Sequence, residues 1–400
     1  MKDESTSERT GVTRRDVIKT ASLASLATAL SGRGLFAAGA SEKIRVGLIG
    51  CGGRGTEAAV NCVDGSPDVV ITALGDVFPD QLAWSLGQLK TKVAKDRLTV
   101  TPETTFTGFD AYQKVLAGPV DLVILASPPF FRPQHIKAAI EAGKHVFTEK
   151  PVAVDPVGVR SVIATAELAA SKRLAIVAGT QRRHQAHYLE IMKRVRGGDL
   201  GELVSGQCYW NMGALWVERA AQNWANKSAK KWSDMEWQIR NWLFTGWCSG
   251  DHIVEQHVHN LDVMNWAFGA HPVKCVGMGG RAARTEPQYG DIFDHFAVEY
   301  EYPNGARILS MCRQTAGAAE NVSERVVGTT GFSYTDSAEG YIKGAKPYGG
   351  KDSPNPYVEE HRDLIASIKA GKPLNEGRQV AESTLTAIMG RMSAYTGRAL

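Results

Sequence analysis

The first half of the chain alternates between short apolar runs and amphipathic stretches. Continuous apolar runs at 44–49, 69–74 and 120–126 are typical of strands buried on both faces. Helical spacing of apolar residues follows each run, and a helix at 156–171 with a strand at 174–179 completes this half. Strands that alternate with helices predict a parallel sheet with helices on both faces, which binds ligands at the carboxyl ends of its strands.

The pattern changes after residue 203. Period-two alternation over 204–210, 273–280, 296–302 and 306–313 predicts strands buried on one face only. Pro303-Asn304-Gly305 predicts a hairpin turn between the last two of these strands. We therefore expect an α/β protein whose second half contains a largely antiparallel open sheet, followed by helices over 361–370 and 379–396.

The first strand runs directly into a glycine-rich turn, Gly50-Cys51-Gly52-Gly53-Arg54-Gly55, and then into a predicted helix. This G-x-G-x-x-G spacing predicts a dinucleotide-binding turn. Gly50 permits the tight turn, Gly52 lets the backbone approach a pyrophosphate, and Gly55 lets helix and strand pack closely. Gly53 and Arg54 of the same turn are further candidate cofactor-binding residues.

The strand after this turn ends at Asp76. A carboxylate there can accept hydrogen bonds from the adenosine ribose and repel a 2′-phosphate, so NAD is the favoured cofactor and NADP a second option. A solvated turn residue is the alternative interpretation of Asp76. Ser127, Pro128 and Lys150 also fall at predicted strand ends and are candidate cofactor contacts. Residues 41–180 are therefore predicted to form a Rossmann NAD-binding domain.

Composition narrows the possible partners. The chain has 400 residues, 43% of them apolar, which suffices for a large core. Its formal net charge of +4 falls to +2 without residues 1–40, and this near-neutral balance argues against a nucleic-acid partner. No run in the mature chain reaches the roughly 18 apolar residues of a membrane span. The six cysteines form no CxxC pair and are predicted to be free thiols, although an oxidising compartment would permit one or two bridges.

The first forty residues differ from the rest. Paired arginines within 13–19 precede a mild apolar run at 21–30 and a small-residue site at 38–40. This combination predicts a twin-arginine signal peptide over residues 1–40 and an exported or periplasmic protein. An uncleaved surface anchor is the alternative.

The glycine turn, Asp76, the segment AGKHVFTEKPVA (142–153) and the predicted helix 250–266 together resemble the glucose-fructose oxidoreductase / inositol dehydrogenase / MocA family, across residues 43–397. The resemblance implies a Rossmann domain, followed by an α/β domain whose open sheet often mediates oligomers. From the sequence pattern we place this second domain at 181–375 and a C-terminal helix at 376–400. It also implies a sugar or polyol substrate and a homo-oligomer, either a dimer or a tetramer.

The same resemblance implies site residues. Lys150 would be the catalytic lysine of the E-K-P motif, with Glu149 beside it at the cofactor. His259 would match the active-site histidine of the family's D-x-x-x-H motif, in which this chain places Glu255 at the acid position.

The chemistry of these residues also supports a role in alcohol oxidation, independently of the family resemblance. Oxidation of a secondary alcohol needs a base for the hydroxyl proton and a cation near the developing alkoxide. His259 can be the base, and Lys150 can be the cation or share the proton. On a continuous helix Glu255 and His259 are i and i+4, so the carboxylate would orient the imidazole. Two alternatives to the catalytic role are a structural helix face whose polar side chains are all hydrogen-bonded, and a metal site. The spacing implies no third ligand for such a metal.

Candidate substrate contacts come from two places. Gln181, Arg182 and Arg183 follow a strand end, where the family commonly contacts substrate; an ordinary basic loop is the alternative. Eight of the nine tryptophans lie between 210 and 266, and such density favours a sugar cleft or a dimer surface. Trp210 and its neighbour Asn211 are the leading candidates there, with Arg240 as a further polar contact.

An exported enzyme would have to load its nucleotide before export and keep it. We therefore expect an NAD(P)-dependent oxidoreductase with tightly held cofactor, acting on a secondary alcohol of a sugar, glycoside or polyol. An NAD-dependent glycoside hydrolase that works by transient oxidation and elimination is one alternative, and a non-catalytic sugar-binding protein is another.

Overall fold

The computed structural model describes residues 43–351 and 354–400, so the predicted signal peptide lies outside the described residues. A six-stranded sheet forms the first domain, in the order β3-β2-β1-β4-β5-β6 with every neighbouring pair parallel. Its strands are β1 (Ile44–Ile49), β2 (Val69–Asp76), β3 (Thr105–Thr107), β4 (Leu122–Leu125), β5 (His145–Thr148) and β6 (Ile176–Ala178). Its helices are α1 (Gly53–Gly65), α2 (Pro79–Lys92), α3 (Ala111–Ala117), α4 (Arg132–Glu141) and α5 (Pro156–Lys172). The predicted parallel sheet is confirmed.

The strand order reverses between β1 and β4, which creates a crevice above the carboxyl ends of these two strands. β1 is buried throughout except at Arg45, as its apolar run requires. α5 begins at Pro156 and is capped by Asp155, whose carboxylate accepts the backbone N–H of Gly158 at 2.8 Å.

An eight-stranded sheet forms the second domain, in the order β14-β13-β12-β11-β7-β10-β9-β8. Its strands are β7 (Leu203–Met212), β8 (Lys274–Gly280), β9 (His295–Glu301), β10 (Arg307–Gln314), β11 (Asn321–Gly328), β12 (Gly331–Asp336), β13 (Glu339–Gly344) and β14 (Tyr348–Lys351). Only the β7–β10 pair is parallel among these strands, so the largely antiparallel open sheet is confirmed. The sequence pattern did not predict β11 to β14.

Six helices accompany this sheet. The first precedes β7, and the other five lie in the long segment between β7 and β8, which we call the insertion. They are α6 (Ala186–Arg196), α7 (Val217–Ser228), α8 (Asp234–Arg240), α9 (Gly246–Ser249), α10 (His252–Glu255) and α11 (Val258–Phe268). Within the two described ranges, no helix is long and apolar enough to cross a membrane. All six cysteines are buried free thiols, as predicted.

The prediction of one helix over 250–266 is wrong. The chain forms α10 and α11 instead, with a break at Gln256 and His257. At the break the backbone N–H of His257 donates to the carbonyl of His252, five residues earlier, so the turn is wider than an α-helical turn. The His257 ring is anchored to the sheet, with Nε2 2.7 Å from the Ser310 hydroxyl.

Two C-terminal helices, α12 (Pro356–Lys369) and α13 (Gly377–Thr396), return to the first domain. α12 packs on α1, and α13 packs on α5 and also on β8 and α11 of the second domain. Leu364, Ile365 and Ile368 of α12 belong to the same apolar core as the side chains of β1. The last helices therefore hold the two domains together.

Candidate functional site

The glycine-rich turn has the geometry that a pyrophosphate needs. Gly50 has a φ of +96°, and a Cβ atom on Gly55 would lie 2.0 Å from the carbonyl oxygen of Gly50. A Cβ atom on Gly52 or Gly53 would meet no atom within 4 Å. The backbone conformation and packing of the turn therefore require glycine at positions 50 and 55. Gly52 and Gly53 instead leave open space at the start of α1, where an anion can bind.

Asp76 ties this turn to the end of β2. Its two carboxylate oxygens accept the backbone N–H groups of Cys51, at 2.6 Å, and Phe78, at 2.8 Å. Burial raises the pKa of Asp76 above its ordinary value, although these two hydrogen bonds oppose the shift. The carboxylate lines the crevice, and its contact with a ribose stays a prediction.

The crevice is a cavity of about 780 Å³ between the two domains. The first domain contributes six of the predicted cofactor residues, which are Gly50, Gly52, Gly53, Asp76, Ser127 and Pro128. The insertion between β7 and β8 forms the opposite wall, with Arg219, Trp232 and Arg240 among its lining residues. The structure therefore gathers these six residues around one space large enough for a nucleotide.

Arg240 joins the two walls. Its Nη1 and Nη2 donate to the two carboxylate oxygens of Asp80 at 2.9 Å, and its guanidinium lies 3.8 Å from the ring centroid of Phe78 and 4.9 Å from that of Trp232. Its Nε donates to Glu236 at 2.9 Å. The hydrogen bonds from Arg240 lower the pKa of Asp80. Sequence reasoning considered Arg240 only as a sugar contact, because its pairing with Asp80 depends on tertiary structure.

Lys150 and Glu255 meet in the interior. Lys150 lies two residues after β5 and before a cis Pro151 peptide, and its Nζ donates to the carbonyl of Glu255 at 2.5 Å and to its carboxylate Oε1 at 3.0 Å. Both residues are buried. The structure thus brings together the lysine of the E-K-P motif and the acid of the predicted helix.

His259 lies at the start of α11. Its ring stacks on Trp210, with 5.6 Å between centroids, and its Nδ1 has no hydrogen-bond partner within the described chain. Burial, together with the positive charges of Lys150 and Arg182, lowers the pKa of His259 well below its ordinary value. The imidazole is therefore uncharged near neutral pH, which suits a base.

The expected contact between Glu255 and His259 is absent. Glu255 Oε1 accepts a hydrogen bond from Lys150, and its Oε2 has no partner in the part of the chain that the structure describes. The break between α10 and α11 removes the regular i, i+4 relation on which the expectation depended. Glu255 therefore acts on Lys150, and the stacked ring of Trp210 holds the His259 imidazole.

Arg182 is buried and already neutralised. It donates to Glu324 and lies 5.5 Å from the ring centroid of Trp210. Glu324 also accepts hydrogen bonds from the side chains of Tyr188, Asn260 and Thr335, at 2.6–2.8 Å. Sequence reasoning missed Glu324, which holds Arg182 beside the Trp210 and His259 pair.

The other predicted substrate residues have different settings. Gln181 is buried, and its side-chain amide donates to the Tyr357 hydroxyl at 3.3 Å. The side-chain oxygen of Gln181, Oε1, has no partner among the described residues. Arg183 makes two hydrogen bonds to Asp262, at 2.8 and 2.9 Å, so its guanidinium is committed to α11. Asn211 lies near the end of β7, opposite Asn321.

Arg54 and Glu149 form an ion pair beside the crevice. Arg54 Nε donates to Glu149 at 2.6 Å, and its Nη2 donates to Glu360 of α12 at 3.3 Å. Burial alone would raise the pKa of Glu149, but the charges of Arg54 and Arg132 lower it. Neither Arg54 nor Glu149 lines the cavity. Their ion pair instead links the glycine turn to the segment that carries Lys150.

No cluster of three potential metal-ligating side chains occurs in residues 43–351 and 354–400.

Two family models match the chain. The oxidoreductase family with an NAD-binding Rossmann fold (GFO/IDH/MocA) matches residues 44–180, and the GFO/IDH/MocA C-terminal domain matches residues 188–333. The chain therefore belongs to the GFO/IDH/MocA family of oxidoreductases, as the sequence motifs predicted.

Curated relatives include inositol 2-dehydrogenases. The protein from Rhodococcus erythropolis is 23% identical over 340 residues, which cover 83% of this chain and 85% of that protein. The protein from Klebsiella pneumoniae is 29% identical over 165 residues, so the match spans 41% of this chain and less than half, 45%, of that protein. Among solved structures, the aldose-aldose oxidoreductase from Caulobacter crescentus has a TM-score of 0.68 at 18% identity, over 90% of this chain and 99% of that one.

Proposed function

We propose that this protein is an NAD-dependent oxidoreductase that oxidises a secondary alcohol of a sugar, glycoside or polyol. The observation that carries the proposal is the buried Lys150–Glu255 pair, whose lysine helps to keep a buried His259 uncharged, in a protein whose dinucleotide-binding turn lines a separate crevice of nucleotide size. The inositol 2-dehydrogenases among the relatives support an alcohol-bearing carbohydrate substrate.

The chain's own residues would divide the work. A nicotinamide nucleotide held in the crevice would accept a hydride from the alcohol carbon. His259, neutral because of burial and nearby cations, would take the hydroxyl proton, and Lys150 would stabilise the negative charge that develops on the oxygen. Glu255 would fix the ammonium of Lys150 in place through two hydrogen bonds.

Charges around the crevice support NAD over NADP. Asp76 and Asp80 are anions on the first-domain wall. Arg240, a cation near Asp76, is already paired with Asp80 and Glu236. A 2′-phosphate would therefore meet carboxylates and a guanidinium whose donors are occupied.

If the protein is exported, its catalytic cycle must return the bound cofactor to its starting oxidation state. With a twin-arginine leader the protein would work where free nucleotide is scarce, so a second substrate, or a later step on the same one, would have to restore the cofactor. The fold is shared with an aldose-aldose oxidoreductase, so two carbohydrate partners are compatible with it. Replacement of Arg14 and Arg15 by lysine in a reporter fusion should stop export; unchanged export would refute the leader.

We also infer a homo-oligomer that forms through the outer face of the eight-stranded sheet. Val276, Met278, Leu309 and Met311 are exposed there, with Met278 exposed to 73%. They lie on β8 and β10 on either side of Ala297 and Glu299 of β9, and together they form a largely apolar patch with one carboxylate in it. Met278→Glu should lower the mass measured by light scattering, and an unchanged mass would refute this interface.

The function can be tested on the purified protein. Its absorbance should show a bound nicotinamide nucleotide, and a panel of pyranosides and inositols should reduce that nucleotide in a single turnover. Reduction without bond cleavage supports the proposal. Cleavage of an aryl glycoside with no net change of the cofactor would instead indicate the glycoside hydrolase, and binding with neither reaction would indicate a sugar-binding protein.

A further inference from the structure

The C-terminal helix α13 contacts the chain segments on both sides of the Lys150–Glu255 pair. Arg391 Nη2 donates to the carbonyl of Val154 at 2.9 Å, and its Nη1 donates to the carbonyl of Gly250 at 2.8 Å. Val154 follows Lys150 in the same irregular segment, and Gly250 comes just before α10, which carries Glu255. One guanidinium therefore binds the two backbone segments whose side chains form the pair.

Tyr395 lies one helical turn further along α13, on the same face as Arg391. Its hydroxyl donates to the carboxylate of Asp251 at 2.6 Å, and the same carboxylate oxygen accepts the backbone N–H of Phe293 at 2.9 Å. Asp251 is completely buried and caps α10. Tyr395 thus holds the residue at which the Glu255 segment begins.

The backbone of Asp251 shows why it needs to be held. Its φ of 74° and ψ of 162° lie in a region that residues other than glycine rarely adopt. Such a conformation persists only where the surroundings fix it, and here the carboxylate is bound by Tyr395 and the backbone of Phe293. The carboxylate also accepts the backbone N–H of His252, so loss of the Tyr395 contact would weaken the hold on the start of α10 without releasing it.

We infer that Arg391 and Tyr395 are positioning residues, which set the distance between Lys150 and Glu255 and so place the ammonium beside His259. For its catalytic meaning this inference rests on the proposed oxidoreductase function. Arg391 acts through the backbone carbonyls of both segments, and Tyr395 acts through the Asp251 carboxylate of the second segment.

The test compares three arginine variants of the full-length holoprotein. Arg391→Met removes both hydrogen bonds but keeps a long side chain, and Arg391→Lys keeps the charge with a single donor group. Arg378→Met is the matched control, because Arg378 is on the same helix but exposed and paired with Glu167 at the surface. Tyr395→Phe removes only the hydrogen bond to Asp251.

Two readouts separate positioning from general stability. Hydrogen–deuterium exchange should become faster in peptides 148–156 and 250–257 together in Arg391→Met, and not in Arg378→Met. The single-turnover rate of cofactor reduction should fall by about tenfold or more with a changed pH profile, while bound nucleotide and Tm stay near the control values. Arg391→Lys and Tyr395→Phe should give smaller effects of the same kind.

The outcomes are distinct. Unchanged exchange in either peptide, or a rate and pH profile of Arg391→Met equal to those of Arg378→Met, would overturn the inference. If the wild-type protein reduced no cofactor with any carbohydrate, the proposed function would fail, and the exchange of the two peptides would still decide whether Arg391 holds them together.

Discussion

Arg240 and Asp80 connect the second domain to the first through two parallel hydrogen bonds of 2.9 Å, at the wall of the nucleotide crevice. Both residues line the cavity, and the aromatic rings of Phe78 and Trp232 contact the guanidinium. The pair bridges the two walls that would enclose a bound nucleotide. The pair is therefore expected to slow its release.

Asp80→Asn should raise the dissociation rate of NAD by about two- to fivefold, because the Asp80 carboxylate is more than half exposed and such an ion pair contributes roughly 0.2–1 kcal/mol. Stopped-flow displacement of the bound nucleotide measures this rate. Asp110→Asn is the control, since Asp110 forms an exposed ion pair with Lys114 on the same domain. Equal rates in both variants would contradict the role of Asp80.

Lys150→Ala and His259→Ala should each lower turnover by two or more decades, the usual contribution of a general acid–base group being about 10²–10⁴-fold. Both should keep their nucleotide, because neither residue lines the main cavity. His271→Ala, a change at an exposed loop residue, is the control. Normal single-turnover rates in both variants would eliminate the mechanism.

Two glycines of the turn should respond differently to alanine. Gly55→Ala places a methyl group 2.0 Å from the carbonyl of Gly50 and should lower Tm by several degrees or prevent folding. Gly52→Ala meets open space, so it should fold with the wild-type Tm and lose bound NAD. Thermal melts with and without NAD distinguish the two, and retention of NAD by Gly52→Ala would argue against a phosphate at this turn.

Asp76→Ala should weaken NAD binding more than NADP binding, since it removes an acceptor for the ribose and a negative charge near the 2′ position. It also frees the N–H groups of Cys51 and Phe78, so the affinity for both nucleotides should fall. The ratio of the two Kd values, measured by calorimetry, isolates the effect of the charge. An unchanged ratio would mean that Asp76 does not face the ribose.

Acid should destabilise the protein through its buried histidines. Burial lowers the pKa of His361 well below its ordinary value, and its two ring nitrogens have no partners within residues 43–351 and 354–400. The unfolded chain takes up a proton near pH 6.5 and the folded chain does not, so stability falls as the pH drops below that value. The loss is about 1.4 kcal/mol per pH unit for each such group.

His361→Leu should therefore reduce the drop in Tm between about pH 7 and pH 5 relative to wild type. The exposed His271→Leu serves as its control and should leave the drop unchanged.

The pKa of His184 is shifted in the opposite direction. Burial alone would lower this pKa, but Asp363 and Glu376 raise it to about 10. Its contribution is complete below pH 6.5 and is lost as the pH rises through about 10, so His184→Leu should lower Tm at neutral pH.

Local patterns were sufficient for the first domain. β1 is an apolar run interrupted only by Arg45, and the glycines after it each have a physical reason, so the parallel sheet and six cavity residues could be predicted. Arg54 could not, because its pairing with Glu149 and Glu360 joins residues far apart in the chain. Its role as a cofactor-binding residue stays a prediction.

The second domain was predicted less completely. Four strands followed from their alternation, whereas β11 to β14 alternate less regularly and contain many glycines and charged residues. The tryptophans were interpreted as a sugar cleft or a dimer surface. Trp210 does stack on His259, but Trp232 and Trp242 line the nucleotide crevice, and Trp224 packs edge-on against Trp237. The density of tryptophans in the sequence did not predict these separate positions, and the sugar contact of Trp210 stays a prediction.

The apolar side chains that α12 inserts beneath β1 have a consequence for biosynthesis. Leu364, Ile365 and Ile368 complete the interior of the nucleotide-binding half, yet the ribosome adds them long after that half has emerged. An isolated N-terminal fragment would expose that surface to water, to chaperones and to other nascent chains. The core of the nucleotide-binding half is therefore complete only after α12 has been synthesised.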